Sequence, residues 1–393
     1  MVIAIGAIAG TATNAVQASE LAEDAYREFG QRLTLAVEKG DLEECGRLFD
    51  TRSYVEGFFK GVAFHYRDGQ AAEAKWVLRF EREHGVYAST VADASLGGSY
   101  RLLRSLPGEE PRLLVRLVCG DGTLDYHTLT LSTSHTGELR VVRTTSMRRG
   151  GDFFAQIRHV LSRYMAHETD DSLISDRAPE AAAMRLEKRL LSGIQTAARQ
   201  KKHRDALYFF QQLPRSVQNG RHVLLTTIDN SIAYERELAA AERSRHKSWT
   251  TRLLDRYEDI YPNDLAATLR CVDYASYHKD FEQARRCVAV INKAVGGDPY
   301  LDLVAAIVES RSGNHGLAIA LAELASEKLP EIATVHTEVA SIHAAAGDNV
   351  SAVARLNALY DGFRLTIEED AVDGTRWGRL FDSSEYRSWK DNL

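Results

Sequence analysis

Ser312-Gly313-Asn314-His315-Gly316-Leu317-Ala318-Ile319-Ala320-Leu321-Ala322 is followed, thirty-four residues on, by Ala346-Gly347-Asp348-Asn349-Val350-Ser351-Ala352-Val353-Ala354-Arg355-Leu356. Both stretches place a glycine turn before a run of small and apolar residues at helical spacing. Ala284 precedes Ala318 by the same interval, and Pro262 and Pro330 are separated by twice it. A fixed period of this size predicts stacked helical hairpins, because one hairpin cannot bury its apolar face alone. The glycine supplies the left-handed residue that ends the preceding helix. The alanine sits where two antiparallel helices cross closely, so a larger side chain would force them apart.

Small residues at the crossing, an apolar or aromatic residue four further on and a closing proline together resemble the tetratricopeptide repeat. In that register Ala206, Phe210 and Pro214 fall on one second helix, and Thr250, Leu254, Tyr257 and Pro262 on another. Ala284 with Val288, Ala318 with Ala322 and Ala352 with Leu356 continue the series. Two departures stand out. Lys279 occupies the turn position that Gly313 and Gly347 hold. Ala206 to Thr250 exceeds one period by ten residues, which predicts a lengthened helix around 230–246. About four to five units over 180–365 suffice for a self-supporting array, since about three are needed.

The segment Gly296-Gly297-Asp298-Pro299-Tyr300-Leu301-Asp302 and the tail Ser383-Ser384-Glu385-Tyr386-Arg387-Ser388-Trp389 resemble segments of uncharacterised bacterial proteins that join an N-terminal α+β domain to a tetratricopeptide array. The resemblance implies an architecture and no reaction. Within 366–393, Trp377, Leu380, Phe381, Tyr386 and Trp389 are expected to cap the apolar end of the last hairpin.

The N-terminal portion, 19–170, has a different rhythm. Ser19–Lys39 reads as an amphipathic helix carrying Leu21, Ala25, Phe29, Leu33 and Val37. Gly40-Asp41 breaks it, Leu42–Phe49 forms a short helix, and helical material continues to about His84. Tyr100–Leu106, Arg112–Cys119, Thr123–Ser132 and Leu139–Arg148 read as strands joined by turns too short for anything but an antiparallel meander. Asp152–Met165 is expected to close the domain as a helix. Helices followed by such a sheet predict an α+β roll. The element order resembles the nuclear-transport-factor-2-like or cystatin-like superfold. The whole chain is therefore mostly α, a roll followed by an α-solenoid with a C-terminal cap.

With 393 residues, 44% hydrophobic and 26% charged, the composition is that of an ordinary globular chain. A net charge of −6 with scattered Lys and Arg argues against nucleic acid as a partner. The first charged side chain after Met1 is Glu20. Residues 1–18 end in Val16-Gln17-Ala18 and fit a signal peptide cleaved after Ala18, so export to the periplasm or cell exterior is expected, with a cytoplasmic N-terminus as the alternative. The apolar run is too short and too rich in Gly and Ala for a transmembrane span. None of the four cysteines has metal-ligand spacing. Cys271 and Cys287 fall on the two helices of one hairpin, either as a disulfide or as small buried residues. No phosphate loop, nucleophile elbow or cofactor motif is found, and no cofactor is expected.

One pair fits acid–base chemistry. Strand alternation puts Asp125 and His127 on one face, where a carboxylate orients an imidazole as a general base; a turn aspartate beside a surface histidine, or a polar contact at the domain interface, reads equally well. Tyr54, Phe58, Phe59, Phe64 and Tyr66 fit an aromatic core better than a pocket. Two functions follow. The first is a non-enzymatic scaffold that binds a protein segment along the concave face, lined by the first helix of each hairpin. Register places Gln195, Arg199, Glu235, Asp273, Tyr277, Leu303, Ile307, Arg311, Thr337 and Ser341 there, without the repeated Lys/Asn pattern that clamps a C-terminal carboxylate. Tyr277 and Arg311, one period apart, are the expected anchors. The second is a small-molecule-binding or proton-transfer protein with its site in the N-terminal cone.

Overall fold

The computed structural model describes residues 23–50, 91, 95, 98–134, 137–152, 179–367, 374–377 and 380–392. The helical stretch expected up to His84, its aromatic cluster, the closing helix after Asp152 and the proposed leader lie outside the described residues. Two compact units divide the chain: 1–147 with 151–162, and 148–150 with 163–393.

In the first unit, α1 (23–38) and α2 (Leu42–Leu48) pack on a five-stranded antiparallel sheet. Its strands β1 (Ser99–Leu106), β2 (Arg112–Val118), β3 (Leu124–Thr133), β4 (Leu139–Ser146) and β5 (Gly151–Asp152) lie in sequence order. The four longer ones match the expected strands to within two residues at every end. Two-residue β5 had no hydrophobic run to announce it. Asp41 caps α2 by accepting a hydrogen bond from the Glu44 backbone N–H. Phe29, Leu33 and Val37 turn one stripe of α1 into the core, against Leu113, Val115, Leu129 and Val141. Ala25, expected on that stripe, is exposed instead, and Tyr26 packs on the core.

The described residues of the second unit are mostly helical. Its helices are α3 (Pro179–Arg199), α4 (His203–Gln211), α5 (Arg215–Gln218), α6 (Arg221–Glu237), α7 (Ala240–Ile260), α8 (Leu265–Tyr277), α9 (Phe281–Val295), α10 (Pro299–Arg311), α11 (His315–Lys328), α12 (Ala333–Ala345) and α13 (Asn349–Phe363). Helices α8 and α9, α10 and α11, and α12 and α13 form successive hairpins, and α10 also packs against α12. Every crossing residue of the expected register is buried: Ala206 is 1% exposed, and Thr250, Ala284, Ala318 and Ala352 are 0%.

Local chemistry sets the helix ends. Asp264, Asp280, Asp298 and Asp348 each accept a backbone N–H of the following helix, and Pro299 follows Asp298 in the first turn of α10. Gly313 and Gly347 close the turns at φ 85° and 81°. Lys279 keeps the same role at φ 61°. A lysine there preserves the geometry at a cost of about 1–2 kcal/mol of steric strain.

The ten extra residues do not form one long helix around 230–246. They are spread over the single turn α5, the 17-residue α6 and the 21-residue α7, with an extended break at Leu238-Ala239. Glu237-Leu238-Ala239-Ala240 are good helix formers, so packing overrides propensity here.

The cap forms as expected. Trp377, Leu380 and Tyr386 are buried against Ala340, Ala344, Ala352 and Leu356, and Phe381 and Trp389 complete the layer. Trp389 donates its indole N–H to Asn357 at 3.3 Å. All four cysteines are free thiols. Cys271 and Cys287 both lie near the Gln283 amide nitrogen, at 3.5 and 3.7 Å. A hydrogen bond from Cys287 lowers the pKa of Cys271.

Candidate partner-binding groove

Three successive first helices, α8, α10 and α12, wall a groove of about 680 Å³, within the range of ligand pockets, about 300–1,000 Å³. Tyr277 ends α8 and Arg311 ends α10, thirty-four residues apart, and both line it. Ile307 and Ser341, also expected on this face, line it too, and Phe281 and Ile342 add apolar wall. The Tyr277 ring lies beneath two guanidinium groups, Arg236 at 5.4 Å and Arg243 at 5.6 Å, a cation–π stack that fixes the ring.

Four cations line the groove: Arg236, Lys279, Arg311 and Arg376. The lining contains no carboxylate. Arg376, contributed by α14 (Gly374–Trp377) at the cap, pairs with Glu338 and donates to the Ser341 hydroxyl at 3.2 Å. Among the described residues, the side chains of Arg236, Lys279 and Arg311 make no hydrogen bond or ion pair. Arg311 keeps solvent access at its surface, but the groove walls crowd the guanidinium. That desolvation, and then the charge of Arg376, lower its pKa, while Asp273 and Glu338 oppose the shift. Glu309 is not its partner. It is buried and grips Arg285 with both oxygens, at 2.6 and 2.8 Å.

Six of the expected positions fall outside the lining: Gln195 and Thr337, both half-buried, and Glu235, Leu303, Arg199 and Asp273. Glu235 is 0% exposed and does not line the groove. One oxygen lies 2.6 Å from His278 Nε2, and the other accepts from the Thr250 hydroxyl at 3.1 Å. Ser231 extends this network to His246. Burial lowers the pKa of both histidines, and the Glu235 charge opposes it. Leu303 is likewise 0% exposed, a core residue of α10. Arg199 is exposed at the end of α3 and lies outside the groove lining. Asp273, exposed on α8, stands outside that lining but acts on Arg311 through its charge. Arg236 and Arg376 were missed. One sits a single residue beyond Glu235, a rotation of about 100° on a helix, and the other comes from the cap, outside the repeat register.

The Asp125–His127 pair is not on the surface. Both lie on the face of β3 that carries Leu129 and Leu131, 5% and 4% exposed. Asp125 Oδ2 accepts from the Ser146 hydroxyl at 2.6 Å and lies 3.2 Å from His127 Nε2, and Asp125 Oδ1 accepts the Tyr126 N–H. His127 Nδ1 meets the Tyr100 hydroxyl at 3.3 Å. Each group thus has a partner on its own or a neighbouring strand, as buried polar groups require. A hollow in this unit, about 470 Å³ between α1, α2 and β4, is lined by arginines already matched: Arg32 with Glu44, Arg47 with Glu43, and Arg140 with Glu138.

Among the described residues, no His/Cys/Asp/Glu group is arranged to hold a metal, and no helix is long and apolar enough to cross a membrane.

Comparison with known proteins matches no family model and no curated protein. Solved structures of MamA do align. A MamA RS-1 double mutant has 17% identity and a TM-score of 0.35 over 46% of this chain and 95% of its own. MamA from Desulfovibrio magneticus RS-1, residue 41 to the end, has 16% identity and 0.35 over 46% and 96%. MamA MSR-1 has 17% and 0.33 over 45% and 96%. Likeness at this level carries no argument about function.

Proposed function

We propose that this chain is a protein-interaction scaffold whose repeat unit holds an extended segment of another protein between α8, α10 and α12. The observation that carries this reading is the groove itself. It is walled by first helices one period apart, offers apolar surface at Ile307, Ile342 and Phe281, and presents Arg236, Lys279 and Arg311, whose side chains make no hydrogen bond or ion pair among the described residues. Extended segments suit such a surface because regular repeats offer regularly spaced contacts. Tyr and Arg are also the residue types that dominate binding hot spots. Tyr277 and Arg311 are the proposed anchors, with Arg236 beside them and Asp273 at the margin. Asp125 and His127 are engaged in the sheet network, which supports a structural role for that pair.

The test is selection of a random peptide library on the full-length chain, repeated on a Tyr277→Ala/Arg311→Ala variant whose circular dichroism matches the parent. Peptides enriched on the parent and lost by tenfold or more on the variant are expected, a difference of about 1.4 kcal/mol. Equal enrichment on both proteins contradicts binding in the groove.

A further inference from the structure

The groove's charge is at odds with the chain that carries it. The whole sequence is acidic, at −6, yet the lining of this one cavity holds four cations and no carboxylate. Elsewhere in the same unit, four arginines find acids. Arg270 grips Asp229 with two nitrogens, both at 2.7 Å; Arg285 grips Glu309; Arg221 meets Asp264; and Arg355 meets Glu323. Other arginines of the unit bond to amide or backbone oxygens, as Arg256 does with Asn219 and Gln218, whereas the guanidinium groups of Arg236 and Arg311 line the groove without a hydrogen-bonded carboxylate among the described residues. Arg311 feels Arg376 and, more weakly, Arg236 as like charges, with Asp273 and Glu338 opposing them from outside the lining. A concave wall of low dielectric strengthens such repulsion, and an incoming anion relieves it.

Resting on the reading of this groove as the binding surface, we propose that its ligand is an acidic segment of a partner protein, with Asp or Glu side chains flanking an apolar residue. The guanidinium fork suits a carboxylate, which accepts two parallel N–H bonds. Arg311 lies on α10, flanked by Arg236 from α6 and Arg376 from the cap. This arrangement takes at least two carboxylates spaced along an extended chain. Ile307 and Ile342 lie in the same wall and take the apolar side chain between them. The charge of Arg376 is already partly spent on Glu338, so Arg311 and Arg236 carry the recognition. Nucleic acid is the poorer fit, because a phosphate backbone calls for an extended basic face and the sequence scatters its Lys and Arg.

Three fluorescein-labelled peptides of one sequence test this, differing only at the charged positions, which carry Glu, Gln or Lys. Binding to the full-length chain is followed by fluorescence anisotropy at low and high salt. The Glu peptide is expected to bind at least tenfold tighter than the Gln peptide, and added salt should narrow that gap. Arg311→Gln should weaken the Glu peptide by about tenfold and leave the Gln peptide unchanged, and Arg311→Glu should shift preference toward the Lys peptide. Indifference to peptide charge, or to Arg311→Gln in a folded variant, overturns the acidic ligand. Stronger binding by a single-stranded oligothymidylate than by the Glu peptide also overturns it. The library selection separates the two claims. Groove-dependent peptides without acidic residues would retain the groove and reject the ligand class. Absence of any groove-dependent peptide would reject the groove as well.

Discussion

The α+β unit and the repeat unit both bury apolar faces, but across very different distances along the chain. In the first, Leu33 on α1 packs in one core with Leu113, Leu129 and Val141, so no part of that core closes until far-separated segments meet. In the second, Ala318 is buried within a hairpin whose two helices are joined by a short turn. Distant pairing makes the first unit cooperative, while local pairing makes the second close to a sum of hairpins and their nearest-neighbour interfaces. The charges differ in the same sense. The hollow of the first unit is lined by arginines with carboxylate partners, whereas the groove of the second is left cationic.

The substitution expected to separate the units most strongly is Gly98→Ala. A Cβ at Gly98 would lie 2.1 Å from the backbone oxygen of Val118 and 2.8 Å from its carbon. Backbone cannot yield as a side-chain tip can, so the Ser99–Val118 end of the β1–β2 ladder must open. A loss of about 3 kcal/mol is expected, removing amide protection over all of β1–β4 in hydrogen exchange while the repeats stay protected. Loss confined to β1 would show that the first unit is not cooperative.

Ala318→Leu is the matching probe of the second unit. Overpacking that crossing should cost about 1–3 kcal/mol. Exchange should accelerate in α10 and α11 and in the hairpins on either side, with the sheet unaffected. A variant with the parent's exchange pattern would show that Ala318 is not at a close crossing.

Acid should weaken the repeats through Glu309. Hydrogen bonding to Arg285 holds the pKa of this buried carboxyl below its ordinary value. A depressed folded pKa contributes stability above the unfolded value, about 4.3, and that contribution disappears as pH falls through the folded pKa. Glu309→Gln should therefore lower the urea midpoint clearly at pH 6 and progressively less toward pH 3. An equal loss at both pH values would place the effect in packing instead of charge.

The smallest expected change is a gain. Lys279→Gly relieves a left-handed lysine and should add about 1 kcal/mol to the second unit alone. No gain would mean that contacts made by the lysine stem offset its backbone strain.

Much of this contrast was legible in the sequence, for physical reasons that differ between the units. The 34-residue interval exposed Ala284, Ala318 and Ala352 because each sits in the same crossing, and Asp298-Pro299 marked a helix start because its capping is local. The strands β1 to β4 stood out through their turns. Three kinds of fact were hidden. The break at Leu238-Ala239 lies among helix formers, so only packing reveals it. Side-chain direction failed in two places: where the period was interrupted, Glu235 turned inward to His278 and Thr250 and its neighbour Arg236 took the groove position, and within the regular register Leu303 joined the core of α10. The cap read clearly as apolar cover for the last hairpin, but its Arg376 gave no sign of reaching the groove, because that contact joins segments outside any repeat.

The most direct test of the groove as the binding face is site-specific photocrosslinking with the Glu peptide. One photoreactive residue replaces Ser310, in the groove wall, and another replaces Val290, exposed on the second helix α9. The account predicts a peptide adduct at position 310 that excess unlabelled peptide suppresses, and none at position 290. An adduct at 290 without one at 310 would place binding on the opposite helices and contradict the account.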